Sequence, residues 1–220
     1  MIRSFLCLLA LLTLAACGGP AEPKWAPDDA VARAHFVADG PASITLFTIL
    51  SNRNDSGAHS GLMINGSERI LFDPAGTWRH PKLPERNDVW FGINDKMVAF
   101  YIDYHARETF RVVEQTVLVP RGVADLIAAR AKGYGAVPKA QCSRAISWVL
   151  AGQPGFESIT RTWFPKNLMQ EFGKLPGVTE KVIRDEDADD NHGVLLIQEG
   201  EDPNAAVAEY ERTHPGAAVN

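Results

Sequence analysis

Cys142 and His59 are the two residues whose types and placement could do covalent chemistry together. A thiolate is the nucleophile of cysteine-based acyl transfer. A thiol reaches that state near neutral pH when a histidine takes its proton, a third group orients the histidine, and the sulfur is partly exposed. Ala140-Gln141-Cys142-Ser143 opens a helical pattern continued by Ala145, Ile146, Val149 and Leu150 and closed by Gly152, so Cys142 falls at a helix N-terminus. Aligned peptide dipoles and free N–H groups there favour a thiolate and can hold a developing oxyanion. Ser143 is alternatively a helix cap. His59 falls at the start of a strand on a hairpin, a well-held place for a base. His35 lies in a tether-like stretch, His80 and His105 in loop-like stretches, and His192 and His214 in acidic or tail segments, where solvated histidine is the expectation.

The first residues give the thiol its context. Met1-Ile2-Arg3, an apolar run from Phe5 to Ala16, and Leu14-Ala15-Ala16-Cys17-Gly18 form a lipobox. The apolar run, about a dozen residues, suits a secretory signal and is too short to span a bilayer. Cleavage before Cys17 would remove Cys7 and leave Cys17 carrying lipid. Gly18, in place of an inner-membrane-retaining Asp, points to the periplasmic face of the outer membrane. Cys142 would then be the one free thiol in an oxidising compartment. Burial as a small hydrophobe is the alternative reason for its survival there.

These residues must be positioned by the elements around them. Residues 17–40 read as the lipidated cysteine and a flexible tether, 41–200 as one domain, and 201–220 as a tail. Ser43 to Leu50 reads as a strand running into the turn formers of Ser51 to Gly57. His59 to Ile64 and Arg69 to Phe72 flank an Asn65-Gly66 centre and read as a hairpin. Met97 to Asp103 and Thr109 to Val119 supply two further strand candidates. A helix follows Pro120 and ends near Gly133, another opens at Cys142, and a short one spans Pro165 to Lys174. Val194 to Gln198 reads as a last strand or apolar patch.

Asp73 is the candidate for the third group. A three-residue hairpin loop, Asn65 to Ser67, sets His59 opposite Asp73, whereas a two-residue loop sets Phe72 there and turns Asp73 to the other face. Asp73 reads equally well as a turn residue before Pro74 and Gly76.

With Ser56-Gly57-Ala58-His59-Ser60-Gly61-Leu62, a second strand bearing a polar residue, and a later helix opening at Cys142, the chain resembles the circularly permuted NlpC-type papain-like superfamily, lecithin:retinol acyltransferase-like proteins included. The resemblance covers roughly Ser43 to Gly152. It implies an α+β, papain-like fold with a small antiparallel sheet packed on the cysteine helix. It also implies Cys142 as nucleophile, His59 as base and Asp73 as orienting group in thiol-dependent chemistry on amide, peptide or ester bonds. Envelope substrates such as cell-wall peptides, or acyl groups, follow from the resemblance and the location together. No metal or organic cofactor is expected.

Composition bounds the alternatives. With 22 basic residues scattered among 27 acidic ones and a net charge of −5, the chain offers no nucleic-acid footprint. The expected partner is the membrane, through lipid, and the expected state is a monomer. Asp185 to Asp190 resembles the opening of a calcium loop, but Asp190 stands where glycine is needed and Leu196 where a bidentate glutamate belongs, so a solvated acidic loop is the reading. Trp78 is the aromatic residue best placed to line a groove. The competing functional class is a binding or assembly lipoprotein in which Cys142 is structural.

Overall fold

The computed structural model describes residues 20–189. Its elements in chain order are α1 (Asp28–Arg33), β1 (Ser43–Ser51), β2 (Gly57–Asn65), β3 (Arg69–Phe72), β4 (Glu85–Arg86), β5 (Val89–Phe91), α2 (Asp95–His105), β6 (Phe110–Leu118), α3 (Arg121–Lys132), α4 (Cys142–Leu150), α5 (Pro165–Phe172) and β7 (Thr179–Arg184). The class is α+β: a seven-stranded antiparallel sheet in the order β4-β5-β3-β2-β1-β6-β7, with five helices among the described residues. Among those residues no helix is long and apolar enough to cross a membrane.

Both faces of the sheet are covered, so the central strand β1 is buried at every residue but its two ends. Ile44 and Leu46 of β1 with Leu62 and Ile64 of β2 meet Ile127 of α3, Ile146 and Val149 of α4 and Leu168 of α5 on one face. Phe47 and Ile49 meet Met97, Phe100, Tyr101 and Tyr104 of α2 on the other. Each fully buried side chain of this size contributes roughly 1.5 to 3 kcal/mol of transfer free energy, and the two layers together clamp β2 between α2 and α4.

The stretch from Met97 to Asp103, expected as a strand, is helical. Met97, Phe100, Tyr101 and Tyr104 are buried at i, i+3, i+4 and i+7, a helical stripe. Asn94 caps it by accepting from the Met97 amide at 3.0 Å, and Asp95 sits in the first turn. The expected helices after Pro120, at Cys142 and at Pro165 all form. β7 pairs with β6 from Arg111 to Thr116 and was not anticipated, because its residues are mostly exposed and carry no apolar alternation.

The tether expectation is corrected from Lys24 onward. Lys24 accepts from the Asn87 amide at 3.0 Å, Ala26 donates to Glu85 at 3.0 Å, and Phe36 accepts from Arg69 at 2.8 Å. The segment also forms α1, so backbone hydrogen bonding ties it to the β4 edge and makes it part of the domain. Residues 1–19, with Cys17 and the signal segment, and residues 190–220, with the expected Val194–Gln198 patch and the tail, lie outside the described residues.

Candidate active site

The hairpin register differs from both expectations. Asn65 pairs with Arg69 and Leu62 with Phe72, which leaves Gly66, Ser67 and Glu68 as the loop. Helix α3 clasps that loop: Asp125 accepts from the Ser67 amide and hydroxyl, each at 2.7 Å, and Arg121 donates to the Gly66 carbonyl at 2.7 Å. Extended past Phe72, this register sets Asp73 opposite Gly61 rather than opposite His59. Gly61 and His59 are two apart on one strand, so His59 and Asp73 still share a face, as diagonal neighbours.

The diagonal is bridged by a short hydrogen bond, His59 Nε2 to Asp73 Oδ1 at 2.6 Å. Tyr101 of α2 donates its hydroxyl to the same oxygen at 2.8 Å. The other side of His59 faces the Cys142 thiol, close enough for each group to shift the other's protonation. With Nε2 committed to the carboxylate, Nδ1 is the ring nitrogen left for the sulfur. The Ser60 amide and the Ser143 hydroxyl, the latter at 3.9 Å, also reach the thiol. Ser143 is buried and shares a 3.1 Å hydrogen bond with Ser60. Its hydroxyl therefore ties α4 to β2 instead of capping the helix, and the cap position is Gln141.

Electrostatics favour an ion pair across this line. Burial works against a charged His59, but the Asp73 carboxylate and the Cys142 sulfur outweigh it and hold the imidazole up at about 10. Burial likewise opposes a thiolate at Cys142, and the contact with His59, the Ser60 amide and the Ser143 hydroxyl bring the thiol below its ordinary value. Burial alone would raise Asp73; the charged His59 and the Tyr101 hydroxyl bring it down. Tyr101 is pushed well above the usual phenol range by burial and by Asp73, so it remains a donor.

Two glycines make room for this arrangement. A Cβ on Gly76 would lie 1.7 Å from Asp73 Oδ2, and one on Gly61 would lie 2.1 Å from the Tyr101 hydroxyl. The Asp73 backbone does form the turn expected before Gly76, accepting from its amide at 3.0 Å. Asp73 is therefore a turn residue and the histidine's partner at once.

No protein-family model, curated protein or solved structure matches the chain. What the site can do is read from its own geometry. A thiol at the first residue of a helix, an imidazole in contact with it and a buried carboxylate behind the imidazole can generate a thiolate and return a proton to a leaving group.

Several participants escaped the sequence reading. His105, expected as a solvated loop histidine, ends α2 and stacks on His59 with ring centroids 5.6 Å apart and planes 11° from parallel. Its Nδ1 donates to the Tyr101 carbonyl at 2.8 Å, and burial holds it down to about 4, so it stays neutral beside the charged His59. Tyr101 and His105 are one turn apart on α2, a spacing hidden by the strand reading. His80 is buried against Phe100 instead of solvated. Trp78, expected to line a groove, does border a cleft with Asp73, Gly76 and Trp90, and at 2% exposure it also stacks edgewise on Trp90 and Tyr101 in the core.

The acidic loop is also more than solvated surface. Asp187 pairs with Arg107 at 3.2 Å, and Asp189 accepts from the Thr109 hydroxyl at 2.6 Å. Oxygens of Asp103, Asp185 and Asp187 come within 4.8 Å of one another. The Arg107 guanidinium supplies positive charge to Asp103 and Asp187, which gives these carboxylates a structural partner.

Proposed function

We propose that this protein is an envelope lipoprotein, lipidated at Cys17, whose domain is a cysteine hydrolase or acyltransferase of the circularly permuted NlpC-type papain-like kind. It acts on amide, peptide or ester bonds, with cell-wall peptides and acyl groups as the substrate classes. The observation that carries this reading is the line Cys142–His59–Asp73, in which the imidazole is hydrogen-bonded to the carboxylate at 2.6 Å and stands beside the thiol.

In the proposed reaction the Cys142 thiolate attacks a substrate carbonyl and forms a C–S bond. The first-turn amides of α4, which have no intrahelical acceptor, hold the resulting oxyanion. His59, carrying the proton it took from the thiol, delivers it to the departing amine or alcohol as that bond breaks. Asp73 keeps the ring oriented and its charge compensated throughout. The acyl-thiol is then attacked by water or another acceptor, His59 taking the acceptor's proton, and Cys142 leaves as thiolate.

The 6% exposure of Cys142 favours a second reading, a binding or assembly lipoprotein with a structural thiol. The two separate on incubation with activated acyl esters and with cell-wall peptides, followed by mass spectrometry of the intact protein. The enzyme reading predicts an acyl adduct on Cys142, and turnover abolished by Cys142→Ala. Absence of the adduct, together with equal turnover in parent and variant, supports the second reading.

A further inference from the structure

Large aromatic side chains stand exposed on the rim of the site, where the fold gives them no core to fill. Trp163 and Phe164 are 54% and 65% exposed. The loop that carries them is fixed on both flanks of the site. On one flank the Arg144 guanidinium lies 5.0 Å over the Trp163 ring and donates to Gln141, the residue before Cys142, at 2.6 Å. On the other, Pro165 packs so closely on Gly57 that a Cβ there would lie 2.7 Å from the proline's own Cβ, two residues before His59. A rigidly held, exposed aromatic pair marks a contact surface.

The rim is also basic. From Lys139 to Lys166 the chain carries Lys139, Arg144, Arg161 and Lys166 against Glu157, in a molecule of net charge −5, while Asp55 pairs with Lys166 and Glu171 accepts from Thr160 beside Arg161. Glu157 is occupied by the Gly155 amide. The position of the chain's entry adds a third observation. Pro20, Glu22 and Lys24 line a cleft whose walls also include Asp73, Thr77 and Lys139. Cys17 is three residues before Pro20, a reach of at most about 11 Å.

We propose that this rim docks on the anionic face of a lipid bilayer, with Trp163 and Phe164 as apolar anchors and Lys139, Arg144 and Arg161 as headgroup contacts. The inference rests on the lipid-anchor part of the proposed function and is independent of the thiol chemistry. A lipid on Cys17 holds the Pro20 side of the site close to the membrane. Aromatic rings settle at headgroup level and cationic side chains attract anionic lipid, so a second contact of this kind fixes the orientation that a flexible acyl anchor leaves free.

The test uses the mature chain, residues 17–220, with Cys17→Ser so that no lipid contributes, sedimented with phosphatidylglycerol vesicles and with phosphatidylcholine vesicles. The parent is expected to bind the anionic vesicles about tenfold better than the neutral ones and to lose that preference in high salt. Trp163→Ala/Phe164→Ala is expected to lower binding to anionic vesicles about tenfold with an unchanged thermal midpoint. A parent that stays in the supernatant with phosphatidylglycerol overturns the proposal, as does a double variant that sediments like the parent. A double variant that turns a dimer into a monomer without changing vesicle binding makes the face an interface between copies, which also overturns it. Membrane fractionation of the full-length Cys17→Ser chain tests the lipid anchor separately, since a variant that remains wholly in the membrane removes that premise whatever the vesicles show.

Discussion

The Asp73 carboxylate occupies space that any side chain at residue 76 would take: a Cβ on Gly76 would lie 1.7 Å from Asp73 Oδ2 and 2.3 Å from its carboxyl carbon. The carboxylate reaches His59 from that space. Gly76→Ala should therefore displace Asp73, slow alkylation of Cys142 at pH 7, and cost on the order of 1 to 3 kcal/mol of stability through overpacking. Urea midpoints and iodoacetamide kinetics on the same samples check both effects. Alkylation at the parental rate would mean that the carboxylate is not needed at the imidazole.

Removing the charge while keeping the shape isolates the electrostatic part. Asp73→Asn should lower His59 from about 10 toward its ordinary value, because the carboxylate is the chief influence holding it up against burial. NMR titration of the ring protons reads this directly. Tyr101→Phe should act more mildly, since Asp73 Oδ1 keeps its bond from His59 and loses one donor, worth about 1.5 to 3 kcal/mol for a bond to a charged group.

Two buried histidines weaken the fold on the acid side, and Asp88, raised to about 6 by burial, offsets part of that loss below 6. His80 and His105 are both held down to about 4, chiefly by burial, while an unfolded histidine titrates at 6.5. Between those values the unfolded chain binds more protons, so stability falls as pH drops from 6.5 toward 4. His59 acts at the opposite end. Its raised value stabilises the fold fully below 6.5, and that contribution is lost as pH rises through about 10. Unfolding free energies measured at pH 4.5, 7 and 9.5 should trace this dome. His80→Phe should flatten the acid side, because the group it removes is buried against Phe100 with no partner for Nε2.

Much of the site was legible because its signals are local. The helix opening at Cys142 and the hairpin bearing His59 are written in apolar periodicity and in an Asn-Gly turn, and both form. The register was not legible, because Asp125 and Arg121, more than fifty residues away, clasp the loop and move the pairing by two positions. The parity of that shift keeps Asp73 on the His59 face. Helix α2 was misread because its stripe of Met97, Phe100, Tyr101 and Tyr104 lies within a nearly continuous apolar run, and with it went Tyr101 and His105. The two glycines that admit Asp73 and Tyr101 carry no sequence signal of that role, since it depends on atoms brought from other elements.

The central claim is that His59 makes Cys142 a thiolate, and the pH dependence of Cys142 alkylation tests it most directly. In the parent the rate should rise with a midpoint well below the ordinary thiol value of about 8.5, on the folded protein and without denaturant. In His59→Ala the midpoint should return to that value or above it, because burial then acts on the sulfur without the imidazolium, and the rate at pH 7 should fall at least about tenfold. Identical midpoints in the two proteins, or a parental thiol that stays inert until the chain is unfolded, would contradict the account.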